Sequence, residues 1–200
     1  WGYLCCYALF PGGSYVDGVS SSVPVLRGTG FDSAVQSGSN SATLMADGSL
    51  WISGNNSYGQ LGIGTIDIPI YSNVPLLIRP GFKSLFLYEQ SVFAIKTDGS
   101  LWAWGSNPAS LLGDGGNNHV SSPKQIGSDF AQVVAGEGRT YAIKNNGDLW
   151  GWGFDEAAVW VAGSGWLVNS QVVSAVTGGP VLTPIFLGSG YASVSLGGDN

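Results

Sequence analysis

One five-residue phrase occurs three times in this chain: Asp47-Gly48-Ser49-Leu50-Trp51, Asp98-Gly99-Ser100-Leu101-Trp102 and Asn146-Gly147-Asp148-Leu149-Trp150. Its glycines lie 51 and then 48 residues apart. A period near 50 describes an array of like supersecondary units, each too small to bury its own apolar face, so neighbouring units must cover one another. Two more markers run in the same phase. A proline stands seven residues before an aromatic at Pro24/Phe31, Pro75/Phe82, Pro123/Phe130 and Pro184/Tyr191. A Trp-Gly pair appears at Trp1-Gly2, Trp104-Gly105 and Trp152-Gly153, with Ser53-Gly54 in the matching slot.

Each unit reads as β. Asp-Gly and Asn-Gly favour a two-residue hairpin turn in which both residues take positive φ. Residues 93–97 enter the second turn and 100–104 leave it; 141–145 and 148–152 do the same in the third. Side chains alternate along a strand, so Trp102 and Trp104 share one face while Leu101 and Ala103 share the other. Both faces are apolar, as for sheets stacked between sheets. A further strand precedes each hairpin, at 82–87, 130–135 and 191–196. No helical period is sustained, and 32 dispersed glycines disfavour long helices. Several short strands per 50-residue unit point to an all-β fold, a β-propeller. Within it the periodic Trp51, Trp102 and Trp150 are expected in the core, with Trp102→Ala costing about 3–5 kcal/mol.

The segment from Trp51 to Thr65, with Asn55-Asn56-Ser57-Tyr58-Gly59-Gln60-Leu61-Gly62-Ile63-Gly64 at its centre, closely resembles the repeat of the regulator of chromosome condensation family, Trp-Gly-x-Asn-x-x-Gly-Gln-Leu-Gly-x-Gly. Pro123 to Gly127, Ala135-Gly136 and Tyr141 to Lys144 are also similar to it. The Leu-Trp-Ala-Trp-Gly run at 101–105 is similar to bacterial and bacteriophage members. The resemblance implies a seven-bladed ring, of which these residues supply nearly four blades as one segment of a longer chain, with repeats at 1–52, 53–103, 104–151 and 152–200. Three departures stand out. Gly-Gln-Leu-Gly becomes Ser110-Leu111-Leu112-Gly113, Tyr3 to Tyr7 replaces a polar loop, and 154–183 is an insertion. The family's histidine after the Ala-Gly strand end is absent, and Arg139 stands near that slot.

Composition removes several functions. Charged residues make up 10% of the chain, the net charge is −6, and the seven Lys and Arg are scattered. Phosphate binding needs clustered cations, so no nucleic-acid partner is expected. No apolar run reaches 18 residues, so no membrane span is expected. Cys5 and Cys6 are adjacent and form no disulfide framework. His119 is the sole histidine, no metal-ligand spacing occurs, and neither a nucleophile elbow nor a phosphate loop is present. Asp155-Glu156 are neighbours that do not face each other. The reading is therefore a chain without catalytic residues, metal or cofactor.

What remains is recognition by loops on a rigid scaffold. Loops 55–74, 106–122 and 154–183 carry the candidate partner-binding residues Tyr58, Asn117, His119, Asp155, Glu156, Trp160 and Trp166. His119 reads first as a solvated loop residue. Trp160 and Trp166 read equally as contact residues or as a strand packed on its own blade. The expected role is a non-catalytic interaction scaffold, in an extracellular or virion setting such as a phage tail or fibre component or a secreted adhesin. Its partner would be a protein or a surface glycan within a larger assembly. The alternatives are a regulatory binder (a guanine-nucleotide exchange factor or an enzyme inhibitor) and a glycan-active enzyme.

Overall fold

The computed structural model describes residues 29–68, 70–153, 159–161, 165–167 and 181–196, with the backbone alone at 159–161 and 165–167. Sheet one is a meander of β1 (Phe31–Ser37), β2 (Asn40–Met45), β3 (Leu50–Asn55) and β4 (Tyr71–Arg79). Sheet two repeats it with β5 (Phe82–Tyr88), β6 (Ser91–Lys96), β7 (Leu101–Gly105) and β8 (Val120–Gly127). Sheet three begins with β9 (Phe130–Gly136), β10 (Arg139–Lys144) and β11 (Leu149–Gly153). A hairpin of β12 (Val159–Val161) and β13 (Gly165–Leu167) interrupts it before the outer strand β14 (Val181–Gly188). β15 (Val194–Ser195) then opens the next unit. First strands neighbour first strands, β1 with β5, β5 with β9 and β9 with β15. The sheets therefore fan about a common axis as blades of a partial propeller. The repeat bounds at 53 and 104 fall within the third strands, so each sequence repeat draws strands from two sheets.

The expected alternation of faces holds in sheet two. Phe93, Ile95, Leu101 and Ala103 join Phe130, Val133, Ala135, Ala142 and Trp152 of sheet three in one buried cluster. Val92, Ala94 and Trp104 join Ala42, Leu44, Leu50 and Ile52 of sheet one in another. A middle blade thus has no solvent face, which is why both faces of its hairpin are apolar in sequence. The tryptophans divide, however: Trp102 and Trp150 pack against these clusters as expected, but as partly buried rings. Trp51, Trp102 and Trp150 are only half-buried, whereas Trp104 is fully buried and Trp152 nearly so. Lys96 Nζ lies 4.5 Å from the Trp102 ring centroid and Lys144 Nζ 4.8 Å from that of Trp150. These are cation–π contacts at the end of the blade.

The hairpin turn also differs from expectation. Gly99 N donates to Lys96 O and Lys96 N donates to Ser100 O, each at 2.9 Å. The loop therefore has three residues, Thr97-Asp98-Gly99, and only the glycine has positive φ, 81°. This is a type I turn closed by a glycine bulge. Asp98 instead uses its carboxylate: Oδ1 accepts from Ser100 N at 2.8 Å and from Ser100 Oγ at 2.6 Å. Trp102 Nε1 in turn donates to Ser100 Oγ at 2.9 Å. In this copy the phrase is thus a carboxylate, a hydroxyl and an indole linked in series, and Asp47, Ser49 and Trp51 repeat the links in the first. The aromatic in phase with the prolines closes the seam to the next blade. Phe82, Phe130 and Tyr191 donate their N–H groups to the carbonyls of Gly48, Gly99 and Gly147, at 3.1, 2.8 and 3.0 Å.

The periodic proline has its own place. Where the third strands advance two residues, Ile52 to Gly54, Ala103 to Gly105 and Gly151 to Gly153, the facing outer strands run four. Those four-residue steps, 76 to 72, 124 to 120 and 185 to 181, contain Pro75, Pro123 and Pro184. A bulge on an edge strand accommodates a residue without an N–H, since no ladder bond is forfeited there.

Two outcomes follow. Trp104→Ala costs about 3–5 kcal/mol in denaturant melts, and Trp102→Ala costs distinctly less because part of that side chain already meets water. Hydrogen bonds from Ser49 and Ser100 hold the exposed Asp47 and Asp98 carboxyls below the ordinary value of 3.8. NMR titration of the carboxyl carbons therefore gives midpoints under 3.8 for both. The associated stability is complete above 3.8 and is lost as pH falls through those midpoints.

Candidate functional site

The loops that join third to fourth strands, 56–70 and 106–119, gather at one end of sheets one and two. Each is built round a buried asparagine. Asn56 Oδ1 accepts from Leu61 N at 3.1 Å and its Nδ2 donates to Thr65 O at 3.1 Å. Asn107 Oδ1 accepts from Leu112 N at 2.8 Å. Asn107 Nδ2 lies 3.0 to 3.2 Å from Asp114 Oδ1, Gly116 O and Asn118 O. Both asparagines are wholly buried, and their amides satisfy backbone groups that the loop would otherwise leave orphaned.

Each loop is latched to the following blade. Trp104 Nε1 donates to Gln60 O at 3.1 Å, and Trp152 Nε1 donates to Leu111 O at 2.8 Å. Gly64 N donates to Ser121 O at 2.7 Å and Gly115 N to Leu182 O at 2.9 Å. The glycine ending each loop motif is fixed by this approach. A Cβ on Gly62 would stand 2.8 Å from Trp104 Nε1, and one on Gly113 would stand 2.5 Å from Trp152 Nε1. The degraded motif keeps the latch because it runs through backbone carbonyls. What it loses is side-chain bonding: Gln60 reaches Asn55 Oδ1 at 2.9 Å, whereas the matching residue is Leu111. Ser110 takes the positive φ of Gly59, 63° against 78°, and leaves its buried Oγ without a hydrogen bond.

On this frame Tyr58 and His119, from successive blades, meet edge to face with ring centroids 4.7 Å apart. His119 Nδ1 accepts from Asn107 N at 3.2 Å, which ties the exposed imidazole to the buried organiser. Asn117 is exposed beside them. Trp160 and Trp166 are directly paired in the β12–β13 register, and β12 pairs with β15 through Trp160↔Ser195 and Val161↔Val194. Asp155 and Glu156 lie outside the described residues, as do Cys5 and Cys6. By sequence register Asp155 stands where Asn56 and Asn107 stand in the two earlier units. The structure thus unites Tyr58, Asn117 and His119 at one rim.

Sequence reasoning missed two features of that rim. Asn56 and Asn107 recur 51 residues apart, in phase with the glycines, and that phase was the available signal. The second feature is apolar and exposed. Ile63, Ile66, Ile68 and Ile70 are 38%, 41%, 71% and 62% exposed, and Val74 follows at 63%. Asp67 is the only charge between Asn55 and Ile78. Among the described residues no group of three or more His, Cys, Asp or Glu side chains converges as metal ligands would, and no helix is long and apolar enough to cross a membrane.

These features coincide with a known repeat. The family model for the Regulator of chromosome condensation (RCC1) repeat matches residues 98–143, spanning the second turn, the Asn107 loop and the latch to Trp152's blade. Residues 98–143 thus carry an RCC1-type repeat. The chain is 30% identical over 93 residues to the human E3 ubiquitin-protein ligase HERC2, covering 43% of this chain and 2% of that protein. Human WBSCR16 superposes with a TM-score of 0.60 at 24% identity, covering 74% of this chain and 37% of that one. Prp20p of Saccharomyces cerevisiae, studied for binding to Gsp1p and histones, superposes at 0.63 with 18% identity over 82% of this chain and 39% of its own. The chain therefore spans well under half the length of each of these relatives.

Removal of the organiser should be costly. Asn107→Ala removes the acceptor of Leu112 N and the amide that bonds Asp114, Gly116 O and Asn118 O, and costs on the order of 1–3 kcal/mol by thermal melt. At Asp114, burial opposes the charge, but Lys124 at 2.8 Å, Gly116 and Asn107 outweigh it and hold the carboxyl below 3.8. Wild type therefore loses this contribution only as pH falls below 3.8, and Lys124→Met brings the loss to higher pH in a pH series of melts.

Proposed function

We propose that the chain is a non-catalytic protein-binding module that engages its partner with the loop rim over sheets one and two. One observation carries this reading: Tyr58, Ile63, Ile66, Ile68 and Ile70 are exposed on a nearly uncharged loop, yet its backbone is pinned from beneath by Asn56, by the Trp104 latch and by Ser121. Exposed large apolar side chains cost solubility, and on a rigid loop they supply contact area at low entropic cost. A partner surface that is itself apolar and uncharged complements them. The sparse charge of the chain and its likeness to phage-type repeats support a virion or extracellular setting. A regulatory role is favoured by the likeness to Prp20p, whose studied partners are Gsp1p and histones.

The test compares wild type with Ile66→Ser/Ile68→Ser/Ile70→Ser. Partner capture by site-specific cross-linking at position 63, read by mass spectrometry, should fall about tenfold in the variant, the equivalent of about 1.4 kcal/mol, with an unchanged melting midpoint. Equal capture by both proteins would overturn the rim assignment. Capture of a small GTPase with accelerated release of labelled nucleotide would move the reading to exchange factor, and binding to a glycan array with no protein cross-link would move it to a lectin.

A further inference from the structure

The three hairpin turns obey a rule that their residues do not share. Each holds one carboxylate and one neutral side chain across the glycine: Asp47 with Ser49, Asp98 with Ser100, and Asn146 with Asp148. In the third turn the acid has changed sides, and the contacts have changed with it. Asn146 Oδ1 accepts from Asp148 N at 3.0 Å, and Asn146 Nδ2 donates to Asp148 Oδ2 at 2.9 Å. Ser189 Oγ donates to the other oxygen, Asp148 Oδ1, at 2.6 Å. The swap leaves Trp150 Nε1 buried with no hydrogen bond, where Trp51 and Trp102 have a serine hydroxyl.

Asn146 is also the only asparagine in the sequence followed by glycine, and it is exposed. We propose that Asn146 is a spontaneous deamidation site, and that its conversion loosens the seam between the third blade and the next. Gly147 has no side chain to shield its nitrogen. That nitrogen attacks Asn146 Cγ, a C–N bond forms and ammonia leaves. Water then opens the succinimide ring to Asp or to the β-linked isomer. In the closed turn Gly147 N is donated to Lys144 O at 2.9 Å, so reaction proceeds from the opened turn and its rate reports opening.

The consequence follows from the one-acid rule. After conversion two carboxylates share the turn, and the amide that had donated to Asp148 is gone. The same turn holds the seam, because Gly147 O accepts from Tyr191 N and Asp148 accepts from Ser189. Repulsion across the glycine is transmitted directly to those two bonds. The earlier turns carry an acid at the equivalent of position 146 without harm because serine, a donor, faces it.

Peptide mapping of the intact chain after warm, mildly alkaline incubation should show a gain of one mass unit at Asn146 ahead of every other asparagine. Chain held in denaturant should convert faster. Asn146→Asp should lower the melting midpoint by several degrees, and Asn146→Asp/Asp148→Ser, which writes the phrase of the other two turns, should recover part of that loss, the Ser189 bond to Asp148 being given up. Absence of mass gain at Asn146 while the denatured control converts would overturn the site. An Asn146→Asp variant that melts like wild type, or one that Asp148→Ser fails to rescue, would overturn the two-acid consequence.

Discussion

The propeller depends on an indole nitrogen meeting a loop carbonyl in the adjacent blade. Trp104 reaches Gln60 O and Trp152 reaches Leu111 O. Each bond is buried, so each would cost more to leave unmade than it gains when formed. It can form only if the loop ends in a residue without a side chain, and only if the loop's own amides are satisfied from within. Gly62 and Gly113 meet the first demand, Asn56 and Asn107 the second. Tryptophan, glycine and asparagine are thus one device spread over two blades, which is why the repeat carries all three in fixed phase.

The opposite end is stitched differently. There the turn glycine's carbonyl receives the N–H of the next blade's first aromatic, and a lysine lies against the half-buried tryptophan. One end is held by an indole and a loop, the other by a backbone bond that Ser189 and Asp148 supplement at the third turn. The loop end can therefore vary its exposed residues, such as Tyr58 against Ala109 at the matching position, while the latch remains in place. The anchoring atoms of the latch are backbone carbonyls, so a change of side chain at such a position leaves it intact.

The architecture was legible because it is periodic: recurrence of Gly48, Gly99 and Gly147 forces repeated sheets whatever the other residues do. Face alternation was legible for the same reason. The burial of particular tryptophans was not. Trp102 and Trp104 lie on one face, and only their distance from the blade's end separates a half-exposed ring from a buried one. The turn type was misjudged because Asp-Gly fits two loop lengths, and a side-chain acceptor for Ser100 tips the balance to the longer. At the rim, Tyr58 and His119 could be named from their loops, but their meeting depends on two loops from different repeats. The isoleucines were hidden because in sequence an apolar loop residue looks no different from a core one.

The bulged outer strands, with Pro75, Pro123 and Pro184, bear on how such a molecule behaves among its own copies. A strand that lacks a donor midway and steps out of register cannot serve as a template for another strand, so neighbouring molecules at high local density do not zip together along these borders. Crowded display, as on a multi-subunit particle, is then compatible with a chain this poor in charge. A partner would then meet side chains along these borders, not an added strand.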